Sequence, residues 1–186
     1  MLNGLNGKKA VLMKMKDVKE FLVELAISAA IVAFIYFFVA VFPLVPTSSM
    51  SPTIAVGERI VVEKFTKYYR DFEYGDILVF PCPDQPRSVA PYVKRLIGKG
   101  GDVLEFSNGR VYRSGTLLAE SYAVGTTLSY TQKYEVPTGY LFFMGDNREH
   151  SEDARFWNTT SFVSEDDVIG RAVAVIWPLG QIRSLH

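Results

Sequence analysis

Pro46-Thr47-Ser48-Ser49-Met50-Ser51-Pro52-Thr53 places a row of hydroxyl side chains between two prolines. Each proline fixes its own φ and pushes the residue before it out of the helical region, so the segment is held extended. A nucleophilic serine needs such a frame, with backbone N–H groups free to face an oxyanion. The chemistry would be acyl transfer through a serine ester. A plain turn-rich loop has the same composition, so a partner that takes the serine's proton has to decide between the two.

Three stretches could supply that partner. His150 sits in Glu149-His150-Ser151-Glu152-Asp153 and could complete a triad with Ser49 and an aspartate; the other histidine, His186, ends the sequence. Lys94 lies in Tyr92-Val93-Lys94-Arg95-Leu96-Ile97, where strand alternation puts Tyr92, Lys94 and Leu96 on one face. A lysine buried among apolar neighbours loses its proton more readily and becomes a general base. A surface lysine covering apolar area with its stem fits the same pattern. The third stretch, Gly145 to Trp157, is dense in side chains that can bond backbone or one another: Asp153 and Arg155 can pair, and Ser151 can orient an amine.

Other chemistries are poorly served. One cysteine, Cys82, and two histidines cannot assemble an ordinary structural zinc site, and no disulfide can form within the chain. No metal and no cofactor are expected. Gly98-Lys99-Gly100-Gly101 lacks the spacing and the following helix of a phosphate loop and reads as a β-turn. Asn158-Thr159-Thr160 matches a glycosylation acceptor by chance, and Glu165-Asp166-Asp167 reads as a turn. With 20 basic and 20 acidic residues the formal charge is zero, so no nucleic-acid partner is expected.

The elements that position these residues follow from the pattern. Residues 1–19 are polar and basic and are expected to form a cytoplasmic tail. Leu25 to Phe42 carries no charge, and with its apolar flanks reaches the ~20 residues that cross a bilayer core. Phe37, Phe38, Phe42 and Pro43 stand where a cleavable leader would have small residues. Residues 20–45 are therefore expected to be a transmembrane anchor in the lipid bilayer. Lysines before the span place the N-terminus in the cytoplasm and residues 46–186 outside. Ser49 lies seven residues beyond Phe42. Even an extended connection of that length reaches only about 25 Å, which holds the serine near the membrane surface.

Beyond Pro46, short β-branched and aromatic segments alternate with turn residues. Arg59–Phe65, Asp76–Phe80, Tyr92–Ile97, Val103–Phe106, Arg110–Tyr112, Tyr140–Met144 and Ile169–Trp177 read as strands. The fold class is mainly β: one N-terminal transmembrane helix, then an antiparallel sheet or barrel-like catalytic domain. Leu117–Glu135 patterns weakly and reads as an excursion or a small second sheet.

In chain order, the apolar span, Ser48 to Thr53, Gly75 to Phe80, Tyr92 to Gly98 with Gly101-Asp102, and Gly145 to Trp157 resemble the type I signal peptidases of the bacterial Ser–Lys class. The resemblance implies a membrane-bound serine endopeptidase that removes signal peptides from exported pre-proteins after small-x-small sites. It assigns Ser49 as nucleophile and Lys94 as general base. Ser151 matches the serine that orients the amine, and Thr47 the hydroxyl that shares the oxyanion hole with the Ser49 N–H. Asp153 and Arg155 match a structural ion pair. Val45, Met50, Ile54 and Tyr92 fall where the family lines its pockets for the residues at −1 and −3. Lysine rather than histidine as base groups the chain with bacterial or plastid enzymes, in the plasma or thylakoid membrane. Glu149, His150, Ala154 and Asn158 depart from the commoner residues of the last block without removing a group with a catalytic role.

Rival readings make different demands. A self-cleaving repressor of the DNA-damage response shares a related β core but is soluble and cuts itself. A membrane-tethered β module that binds other proteins would not need Ser49. A His150 triad would tolerate loss of Lys94.

Overall fold

The computed structural model describes residues 3–36, 40–41, 43–69, 71–87, 89–127 and 131–185. The chain divides into two units, residues 1–39 and 40–186. The first is a helix, α1, Asn3–Phe34. Within the chain its apolar side chains Phe21, Leu22, Val23, Leu25, Ile27, Ile31, Val32 and Phe34 are each more than half exposed.

Among the described residues no helix is long and apolar enough to cross a membrane. Asp17, Lys19, Glu20 and Glu24 all fall in the last 18 residues of α1, and the uncharged run continues into residues 37–39 and 42, outside the described residues. The expected anchor also ends too late. Ala40–Val41 is a strand, β1, that pairs with Glu63 and Val62, and Val45 is buried in the core of the second unit.

The second unit is built from two antiparallel sheets. The larger runs β1, β2 (Arg59–Glu63), β11 (Gly170–Trp177), β3 (Ile77–Phe80), β4 (Tyr92–Lys99), β9 (Tyr140–Met144), β10 (Val163–Ser164), with β12 (Arg183–Ser184) added beside β11. Its path ends at β1 and β10, so among the described residues the expected barrel does not close. The smaller sheet runs β7 (Thr116–Leu117), β6 (Arg110–Arg113), β5 (Val103–Ser107), β8 (Gln132–Glu135). One short helix, α2, spans Thr66–Tyr69.

Local sequence explains these elements. Asn108 (φ 51°) and Gly109 (φ 73°) adopt the left-handed conformations that a tight hairpin between β5 and β6 requires. The Gly98-Lys99-Gly100-Gly101 stretch ends β4 and turns into β5. β3 is apolar at every position because both faces of the sheet are covered. Leu78 and Phe80 join a cluster with Leu96, Phe142, Phe143 and Trp157, while Ile77 and Val79 join Val45, Met50, Ile54 and Val175 on the other side. β4 is thus sandwiched at the centre of the sheet, flanked by β3 and β9.

Candidate active site

Lys94 pairs with Leu78 across the β3–β4 ladder, in the dry middle of the sheet. It is 4% exposed, and its Nζ lies 2.6 Å from Ser49 Oγ. The Tyr92 ring is 5.3 Å from the same nitrogen. Burial pushes the Lys94 ammonium from its ordinary 10.5 down to about 8, against the pull of the Asp153 and Glu152 carboxylates. A buried amine of this kind, bonded to a serine hydroxyl, can take the hydroxyl's proton.

Ser49 is 7% exposed, in the turn that follows Pro46. Its Oγ also lies 3.3 Å from Thr47 Oγ1. The turn is pinned from both ends: Ser51 N–H donates to Ser48 O (3.0 Å) and Ile54 N–H to Met50 O (2.9 Å). Asn147 pins it from the far side of the chain. Its N–H donates to Ser49 O at 3.0 Å, and its side-chain amide donates to Ser48 O at 3.2 Å. With both carbonyls held, the serine side chain has a fixed origin from which to meet the lysine.

Asn147 can do this because Gly145 lets the loop after β9 come close. A Cβ on Gly145 would lie 2.5 Å from Ser49 O and 2.5 Å from Ser151 Cβ. The loop is then bonded on every side. Arg95 forks onto Asp146 (Nε–Oδ1 2.8 Å, Nη2–Oδ2 2.6 Å), donates to Gly75 O at 2.8 Å and stacks 4.0 Å from the Tyr122 ring. Arg155 forks onto Asp153, both fully desolvated, and reaches Arg148 O at 2.8 Å. Arg148 is itself clamped by Glu120 (2.6 and 2.7 Å) and Thr127 (3.0 Å). Val124 closes the brace, its N–H donating to Asp146 O and its carbonyl accepting from Arg148 N–H, both 2.8 Å. Residues 120–127 thus strap the outer side of the loop whose inner side holds Ser48 and Ser49.

A cleft of about 390 Å³ opens onto the pair. Val45, Pro46, Thr47, Met50 and the run Val89–Lys94 line it, with Ser49, His150 and Glu152. Most of the wall is apolar, which suits small uncharged side chains.

The expected residues converge with two exceptions. Ile54 does not line the cleft; it is fully buried behind it, in the same cluster as Val45 and Met50. Ser151 Oγ is buried without a hydrogen-bond partner among the described residues, so the expected bond to the lysine amine is not formed. His150 is exposed, and its Nδ1 faces Asn147 Oδ1 at 3.3 Å. Sequence reasoning missed Asn147, Gly145 and the Arg95–Asp146 fork. The signal for the first two was the Gly-Asp-Asn run directly after an apolar strand, a place where backbone approaches backbone.

The sequence is similar to those of known proteins. The family model described as "Signal peptidase, peptidase S26" matches residues 18–177. Signal peptidase I U of Bacillus subtilis (strain 168) is 36% identical over 189 residues, covering 96% of this chain and 98% of its own. Signal peptidase I of Leptolyngbya laminosa is 33% identical over 153 residues, covering 80% of this chain and 74% of its own. Probable thylakoidal processing peptidase 2 of Arabidopsis thaliana is 31% identical over 146 residues, covering 76% of this chain and 39% of its own. A crystal structure of a signal peptidase I from Enterococcus faecalis V583 superposes with a TM-score of 0.45 at 30% identity, covering 55% of this chain and 97% of that one. The chain belongs to the signal peptidase family, peptidase S26, as a serine protease of the type I class that acts on signal-peptide-bearing preproteins.

Proposed function

We propose that the chain cleaves signal peptides from exported preproteins after small-x-small sites, with Ser49 as nucleophile and Lys94 as general base. The observation that carries this reading is the 2.6 Å bond from Lys94 Nζ to Ser49 Oγ at a buried position. Neutral Lys94 takes the Ser49 proton as the oxygen attacks the scissile carbonyl. The ammonium then protonates the leaving amine, giving an ester on Ser49 and a free mature N-terminus. The amine, neutral again, activates the water that releases the signal peptide. The oxyanion is held by the Ser49 N–H and the Thr47 hydroxyl; losing one such donor costs about 3 kcal/mol of transition-state stabilisation. Ser151, whose buried hydroxyl makes no hydrogen bond among the described residues, is assigned to steady the ammonium, and the Asp153–Arg155 pair fixes the wall around it.

The substrate binds extended, its −1 and −3 side chains against Val45, Met50 and Tyr92, with Ile54 supporting that wall from within the core. The exposed apolar side chains of α1, and the uncharged run that continues past it, support a membrane anchor with its lysines on the cytoplasmic side and the peptidase unit outside.

The test is cleavage of a purified precursor bearing an Ala-x-Ala site, added in trans in detergent micelles. Wild type should cut after the second Ala, and Ser49→Ala and Lys94→Ala should not, while both variants stay folded. Cleavage that survives Lys94→Ala removes the mechanism.

A further inference from the structure

The carboxylates around the cleft divide into those forked by arginine or bonded to backbone and one, Glu152, that meets only the Tyr92 hydroxyl and the field of Lys94. Asp146 is forked by Arg95, Asp153 by Arg155, and Glu149 accepts from Thr126 N–H at 2.9 Å. Glu152 lines the cleft, is exposed, and has no lysine or arginine partner among the described residues. It sits directly after buried Ser151, and among the described residues it is the cleft's only acidic lining residue. Its carboxylate lies near the Tyr92 hydroxyl, whose pKa is raised first by burial, then by Cys82 and Glu152. Tyr92 therefore stays protonated, and Glu152 is the carboxylate that faces the cleft. Lys94 is the one basic side chain in the wall apart from the exposed His150, and it is buried against Ser49.

We infer that Glu152 selects preproteins carrying a basic side chain beside the scissile bond, giving the cleft a charge preference in addition to its preference for small residues at −1 and −3. The inference rests on the peptidase reading. An extended substrate turns alternate side chains to opposite faces, so a residue at −2 or +1 can present lysine to Glu152 while −1 and −3 fill the apolar wall. The carboxylate is exposed, so the effect is that of a partly screened ion pair.

The full chain in detergent is given Ala-x-Ala precursors with Lys, Gln or Glu placed singly at −2 or +1. At low salt, kcat/KM should favour Lys over Glu by about fivefold at one of these positions. That ratio should fall towards one in Glu152→Gln, invert in Glu152→Lys, and shrink in wild type as salt is raised. Equal Lys:Glu ratios in wild type and Glu152→Gln at both positions overturn the inference. Cleavage of the Gln precursors by wild type but not by Ser49→Ala would then leave the peptidase reading standing. Failure of wild type on every precursor overturns both.

Discussion

Replacing Lys94 with methionine should make the protein more stable at neutral pH while abolishing its activity. The amine is buried and held from an ordinary 10.5 down to about 8. At about 1.36 kcal/mol for each pH unit, that difference is a destabilisation of roughly 3 kcal/mol for folding with the ammonium inside. Methionine has a similar length and no charge. It forfeits the bond to Ser49 Oγ, worth about 1 kcal/mol, so the net gain at pH 7 is roughly 2 kcal/mol. The folded pKa lies below the unfolded one, so between about 8 and 10.5 the unfolded chain binds more protons and wild type gains stability as pH rises. The advantage of Lys94→Met should therefore be full below about pH 8 and gone by about pH 10.5. Urea unfolding of both proteins across this range, followed by the fluorescence of buried Trp157, measures the difference and cancels every other titrating group. The activity counterpart is an ascending limb in kcat/KM with an apparent pKa of about 8. At pH 7 that leaves about a tenth of molecules with a neutral base, roughly 300 times more than an ordinary lysine would have. A stability difference that does not vary with pH, or a limb near 10.5, would refute a desolvated base at this position.

Three further substitutions probe the frame around the pair. Gly145→Ala puts a methyl against Ser49 O and Ser151, and should lose about 2 kcal/mol of stability and at least about a hundredfold in kcat, read by urea melts and precursor cleavage. Asp153→Asn leaves the buried Arg155 guanidinium without its counter-charge and should destabilise by about 3–5 kcal/mol in the same melts. Ser151→Ala removes an unpaired buried hydroxyl, so stability should hold or rise by about 1 kcal/mol while kcat falls about tenfold or more; a loss of stability matching the loss of rate would show the hydroxyl to be structural.

Strand-period patterning located β2, β3, β4, β5, β6, β9 and β11 because each buries one or both faces of a sheet, and alternation or a short apolar run is the direct imprint of that burial. The two-residue strands β1, β7, β10 and β12 left no such imprint; they are defined by what they pair with. Ser49 and Lys94 were readable through the resemblance, since 45 residues of separation say nothing about contact without it. Asn147 sits 99 residues from the carbonyl it holds, and an amide in a polar loop has no pattern that points across such a distance. Arg95 could be given a face but not a partner, because alternation encodes direction alone. The resemblance puts Ile54 in the pocket wall, yet the turn there carries it back into the core. The start of the second unit at Ala40 was hidden because a strand edge and the end of an apolar span share the same composition.

On the proposed mechanism, the adjacency of Lys94 and Arg95 on β4 ties correct strand pairing to catalytic competence. In the native register Lys94 stands against Leu78, and Arg95 stands between Ile77 and Met144. A slip of one residue would turn every β4 side chain to the opposite face. Arginine would then replace lysine at the serine, and arginine does not give up its proton in water-compatible pH. A misregistered molecule would keep most of its strands and carry no base. The register that sets Lys94 against Ser49 is also the one that buries Leu96 and Ile97 and pairs Arg95 with Asp146, so the core and the proposed base are specified by the same strand pairing.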